Sequence, residues 1–146
     1  MSQFTTPLRT EFDNTIPEKP FVVLESFIYE IGELGSHRSI RVPAGFRTDF
    51  ASVPRPFRNL FSPAGTYGKA AVIHDYLYND GYVTEMLIDS ETGDTYERHI
   101  NVSRKEADDI FLEGMIVLGV GWWTRTLIYR AIRFGGRGET WSANGS

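Results

Sequence analysis

His74 and Asp75 stand side by side in a run, residues 71–78, whose other members are Ala, Val, Ile, Leu and Tyr. An imidazole and a carboxylate held among apolar neighbours have two chemical uses. They can ligate a divalent metal that activates water, or serve as a general base with its orienting acid. Either use calls for a further acid. Asp49 is the first candidate, because it lies in the irregular stretch Gly45 to Pro54 and loops held on a scaffold often carry functional groups. Asp108, on the flank of a later helical segment, is the second. The candidate catalytic set is therefore His74, Asp75 and Asp49. The candidate metal set is Asp49, His74, Asp75 and Asp108, holding one divalent ion and no other cofactor. Arg47, Ser52, Arg55 and Tyr78 surround these positions in sequence and are the candidate binding residues.

An architectural reading competes with the chemical one. In it His74 hydrogen-bonds a backbone carbonyl and Asp75 anchors the preceding loop through Arg47 or Arg55, since buried ion pairs also occur in purely structural networks. A Ser52, His74 and Asp49 nucleophilic triad is disfavoured, because the sequence around Ser52 lacks a strand-to-helix nucleophile elbow. Local bonding of the Thr48 and Ser52 hydroxyls to their own loop is the ordinary explanation for them. The order His37, His74, Asp75, Asp108 formally matches a class of helical metal phosphohydrolases, but His37 falls between two expected strands.

Several elements must position these residues. From Tyr67 to Tyr78 the apolar residues fill most sides of a helix, and the period turns His74 inward with Ala70, Ala71 and Tyr78. Asn79, Asp80 and Gly81 stop it. Upstream, Phe21 to Ile31 and Arg38 to Val42 read as antiparallel strands joined through Gly32 to Ser36, followed by a shaped loop from Arg41 to Leu60. Downstream, Val83 to Ile88 and Asp94 to Ile100 read as a hairpin turning near Ser90 to Gly93, a peripheral insertion within residues 83–102. Ser103 and Glu106 form a capping box for a helix striped by Ala107, Ile110, Phe111, Gly114, Met115 and Leu118, on which Asp109 faces solvent.

The last helix is expected over Thr124 to Phe134, with Leu127, Ile128, Ala131 and Phe134 on one face and Gly135 as its C-cap. Arg125, Arg130, Arg133 and Arg137 give it a basic edge that the domain's own acids neutralise. Trp122, Trp123 and Trp141 read as core or docking rings. The expected fold is α+β: a small antiparallel sheet and a peripheral hairpin packed with about three helices. A single domain spans residues 1–146, with an N-terminal arm over 1–20 and an extended tail over 136–146.

Composition narrows the function classes. With 146 residues, 41% hydrophobic and 23% charged, the chain suits one globular core, and an aromatic share of 14% gives that core large rings. A net charge of −4 carries no strong nucleic-acid signal. The absence of cysteine excludes disulfides, thiolate nucleophiles and cysteine-ligated zinc. No stretch approaches the ~20 apolar residues of a membrane-spanning helix.

Three runs together resemble a known family: Gly45-Phe46-Arg47-Thr48-Asp49-Phe50-Ala51-Ser52-Val53-Pro54-Arg55, Ala71-Val72-Ile73-His74-Asp75-Tyr76-Leu77-Tyr78, and Arg104 to Met115 with Ala107, Asp108 and Phe111. They are similar to the phage- and prophage-encoded DUF1353 family, a domain of unknown function, over about residues 38–141. The resemblance implies a phage origin and brings no established activity. Three functions follow as expectations. The first is a small metal-dependent hydrolase-like protein with a His/Asp centre. The second is a non-enzymatic virion component, of the tail or of assembly, whose cluster is structural and whose partners are other virion proteins. The third is an intracellular host-directed binding protein. The corresponding locations are the host cytoplasm or the virion.

Overall fold

In a computed structural model the residues described are 4, 8–32, 36–48, 55–57, 68–79 and 81–135. Two small antiparallel sheets and three α-helices make an α+β domain among them. The first sheet joins β1 (Thr10–Phe12), β2 (Phe21–Val23) and β5 (Arg47–Thr48) in the order β1-β2-β5. The second joins β3 (Phe27–Glu30), β4 (Arg38–Val42), β6 (Val83–Ile88) and β7 (Thr95–Ile100) in the order β3-β4-β6-β7.

The apolar segment Phe21 to Ile31 supplies a strand to each sheet instead of one continuous strand. Leu24, Glu25 and Ser26 are exposed between the two pieces. The backbone there changes partners: Leu24 N–H donates to the Arg9 carbonyl at 2.8 Å, and Gly45 N–H to that of Val23 at 2.7 Å. Past the break, alternation resumes. Phe27 pairs with Val42 and Tyr29 with Ile40, four buried side chains on one face of the β3–β4 pair. As expected, β3 and β4 are antiparallel and β6 and β7 form a hairpin. The hairpin extends the second sheet through β6, which pairs with β4 only at Arg38↔Glu85 and Ser39↔Thr84. Its outer half projects past that sheet.

Helix α1 (Gly68–Tyr78) buries Ala70, Ala71, Val72, Ile73, His74, Tyr76 and Leu77, the all-round burial its composition requires. It packs between β4 and β5 on one side and α2 (Arg104–Val117) on the other. Small residues allow the helix contact: Gly114 of α2 lies against Ala70. The α2 N-terminus is capped as its sequence indicates, the Ser103 hydroxyl accepting the Glu106 N–H at 3.1 Å. Its C-terminus closes in a Schellman motif, with Gly119 at φ 86° and the Val120 N–H reaching the Met115 carbonyl at 2.9 Å.

Helix α3 (Trp122–Gly135) differs from its expected form in start and in facing. It begins two residues earlier, the Arg125 N–H donating to the Gly121 carbonyl at 3.0 Å. Its buried positions are Ile128 and Ile132, whereas Leu127, Ala131 and Phe134 point outward. Apolar residues occur on both sides of this helix, and the turn at Gly119 fixes which side meets α2. Trp122 and Trp123 fall in the exposed first turn, in edge contact with each other at 4.7 Å. Among the described residues no helix is long and apolar enough to cross a membrane.

Candidate functional site

Three helices converge on one carboxylate. Asp108 of α2 is wholly buried, and its Oδ1 accepts from His74 Nε2 at 2.7 Å and from the Tyr78 hydroxyl at 2.5 Å. Its Oδ2 accepts from Arg133 of α3 at 2.7 Å. The spacing of four residues between His74 and Tyr78 sets both on one side of α1 facing α2. Asp108 reaches that interface because it precedes Ile110 and Phe111 on the packed side of α2, whereas Asp109 is turned about 100° away. The His74 ring is held between Phe111, stacked at 4.7 Å, and Tyr78, at 4.1 Å.

Burial alone would push the Asp108 carboxyl up. The hydrogen bonds from His74 and Tyr78, the charge interaction with His74 and the hydrogen bond from Arg133 outweigh it and hold the acid below the usual carboxylate range. Tyr78 moves the other way: burial first, then its bond to Asp108, raise the phenol, so the hydroxyl stays protonated and donates. With Asp108 ionised, His74 Nε2 carries the proton. The other ring nitrogen, Nδ1, is buried with no hydrogen-bond partner among the described residues. Arg104 lies beside the Tyr78 hydroxyl. It donates to the carbonyls of Ile132 and Arg133 at 3.2 and 3.1 Å, closing the last turn of α3.

Asp75 serves a different junction. Its Oδ2 accepts from the buried Thr48 hydroxyl of β5 at 2.5 Å, and Asn79 donates to its backbone carbonyl at 2.7 Å. The first sheet is thereby fastened to α1 one residue before Asp49. Arg47 points away from Asp75 and staples the β1–β2 connection, donating to Asp13 Oδ2 at 2.8 Å, to the Thr15 hydroxyl at 3.2 Å and to the carbonyls of Asp13 and Lys19. Asp49 and Ser52 lie outside the described residues, and Arg55 opens a short 3-10 helix over Arg55–Phe57. Of the candidate residues, then, His74, Asp108 and Tyr78 meet, while Asp75 and Arg47 each hold a loop or strand.

Two further polar ties carried no sequence signal beyond residue type. Glu113 accepts from the buried Tyr29 hydroxyl and from the Gly32 N–H at 3.0 Å, joining β3 and its turn to α2. Asp109 accepts from Lys105 at 2.7 Å and from the Tyr129 hydroxyl, so it is tied to α3 as well as solvated. Burial and the Asp109 bond push Tyr129 up to about 12. Arg133 belonged to the expected basic edge, and Asp108 is the acid that neutralises it.

Chemically, His74 and Asp108 have the relation of a general base to its orienting acid: when the ring is neutral, the carboxylate fixes one nitrogen as the donor and leaves a lone pair on the other. Access is what differs. The His74 side chain is 1% exposed, and Nδ1 faces protein. As a metal site the cluster offers that one lone pair. Among the described residues no three His, Asp or Glu side chains are placed to share an ion.

The architecture is thus an α+β domain in which separate polar ties join α1 to β5, α2 to β3, and all three helices at Asp108. The family profile described as "Protein of unknown function (DUF1353)" matches residues 21–132, more than half of the chain, and the protein belongs to that family. The matched segment begins at β2 and includes Thr48, His74, Asp75 and Asp108. No curated protein and no solved structure matches the chain.

Proposed function

We propose that the protein is a non-enzymatic assembly component of a phage particle, in which the His74–Asp108 cluster serves architecture and the outer surface makes the contacts. The observation that carries this reading is the state of Asp108: a wholly buried carboxylate accepting from donors on α1 and α3. A group so engaged cross-links helices and offers no reactive atom to a substrate. The exposed aromatic turn of α3 and the projecting hairpin agree with a role in contact. The phage setting rests on the sequence resemblance. Quantitative mass spectrometry of purified particles tests the reading, with a fixed copy number per particle as the expected result. Absence from washed particles would overturn it.

A second reading, a small metal-dependent hydrolase-like protein using Asp49, His74, Asp75 and Asp108, is favoured by two observations. His74 Nδ1 is buried without a partner among the described residues, and the Thr48–Asp75 bond brings the chain just before Asp49 against α1. Metal content of the purified protein separates the two. The hydrolase reading expects about one divalent ion per chain, lost in His74→Ala. An equal content in both proteins would remove it.

A further inference from the structure

We infer that two copies of this chain associate head to tail, the acidic hairpin tip of one lying on the exposed aromatic face of α3 of the next. The inference goes beyond the assembly reading, standing on two surfaces of the single chain and requiring no particle.

The receiving surface is α3. Its buried face is Ile128 and Ile132, and on the opposite side Trp123, Leu127 and Ala131 recur every fourth residue as one outward stripe about 12 Å long. Trp123 is 74% exposed and Leu127 54%. Trp122, 57% exposed, widens the stripe at the N-terminal end, and Ile116 at the end of α2 is half exposed as well. Arg130 is exposed along the stripe, Arg125 lies on the other side of the helix and donates to the Val120 carbonyl at 3.2 Å, and residues 122–135 contain no acid. Large aromatic rings beside arginine are the composition of interface anchors.

The donated surface is the hairpin tip. β6 pairs with β4 at Thr84 and Glu85, and the Met86 N–H still donates to the His37 carbonyl at 2.8 Å; past that bond Ile88 and residues 90–97 are exposed. Ile88, 70% exposed, shares one face of the ladder with Met86, Thr95 and Glu97, whereas Tyr96, 50% exposed, lies on the other face opposite Leu87. Asp89, Glu91, Asp94 and Glu97 lie in the same segment, residues 86–97, which has no Lys or Arg. The Ile88 face of the tip is therefore apolar with acids around it, and the α3 stripe is apolar with Arg130 along it. Both surfaces are open in the single chain, so neither covers the other. A chain of net charge −4 repels its copies in most orientations, which leaves the tip-to-helix approach as the electrostatically favoured one. Because the two surfaces differ, the contact is heterologous and propagates into a ring or an open filament.

Sedimentation of the full chain at low ionic strength, up to about 100 μM, reads the association directly. The expected result is an average mass above the monomer that falls as salt is added. Trp123→Ser disables the helix face, and Ile88→Ser combined with Glu97→Lys disables the tip. All three positions are exposed, and unchanged far-ultraviolet dichroism establishes that each variant folds. Each alone is expected to associate at least ~10-fold more weakly. Mixed, they should form a complex of one copy of each and nothing larger, because the first keeps a working tip and the second a working helix. A monomeric wild-type chain overturns the inference. So does association that survives both sets of changes, or a mixture that fails to pair, the outcome expected of a symmetric helix-to-helix contact.

Discussion

At Asp108 a single side chain holds helices that come from separate parts of the sequence, and its replacement should cost more than that of any other acid described here. Asp108→Ala leaves the His74 ring, the Tyr78 hydroxyl and the Arg133 guanidinium without their acceptor, a loss of about 3–5 kcal/mol for breaking a buried charged cluster. Asp75→Ala removes, among the described partners, the acceptor of the buried Thr48 hydroxyl, a loss of about 1–3 kcal/mol. Urea unfolding of the two variants should show that order, and the reverse order would place the main polar tie at Thr48. The dependence on pH follows from the direction of the Asp108 shift. Its folded value lies below the unfolded one, so the stabilisation is complete above the usual carboxylate range and is lost as pH falls through the depressed value. Arg133→Met removes one cause of the depression and raises the folded value, so acid unfolding should begin at a higher pH than in the parent. An unchanged acid midpoint by circular dichroism would mean that His74 and Tyr78 suffice.

Among the elements, the connection from α1 into β6 is the least tolerant of added volume. A Cβ on Gly81 would lie 2.4 Å from the Tyr76 carbonyl oxygen and 2.6 Å from the Tyr76 ring, and the backbone atom cannot swing aside. Gly81→Ala is expected to lower stability by about 1–3 kcal/mol. Gly114→Ala is the control: there the Cβ meets Ala70 at 3.4 Å, ordinary contact, and the gain in helix propensity of roughly 0.5–1 kcal/mol offsets what crowding remains. Thermal melts that place Gly114→Ala below Gly81→Ala would contradict this packing. The legibility of the elements follows the same physics. Helix α1 was readable because an almost unbroken apolar run can only be buried all round, and that placed His74 inside. The cap at Ser103 is a local bond with a local signature. Which of the adjacent acids Asp108 and Asp109 faces α1 depends on how α2 rolls against its neighbours, so Asp108 ranked second to Asp49 from sequence. Asp49 itself lies outside the described residues. The facing of α3 was not readable, because Leu127, Ile128, Ala131, Ile132 and Phe134 populate both sides and only the turn after α2 selects between them.

For the molecule as a whole, the ties at Thr48, Tyr29 and Asp108 surround α1 and α2, whereas the hairpin tip hangs from the sheet by a short pairing between β4 and β6. Stability is therefore distributed unevenly, with the tip contributing little to the core. Met86 and Glu97 are directly opposite in the ladder, so residues 87–96 can be replaced by Asn-Gly, the two-residue turn that suits an antiparallel pair. The shortened chain should keep the parent's unfolding free energy, read from urea titration, to within about 1 kcal/mol, because the segment removed is mostly exposed. Excision also removes Asp89, Glu91 and Asp94, changing the formal net charge from −4 to −1. A less charged chain is generally more prone to associate, so charge alone would increase the sedimenting mass. If the tip is the surface that binds α3, the mass should instead fall to that of a monomer. Opposite signs for the two causes make the shortened chain decisive: a stable protein that still forms large species means that the contact lies elsewhere, and an unstable one means that the hairpin belongs to the core.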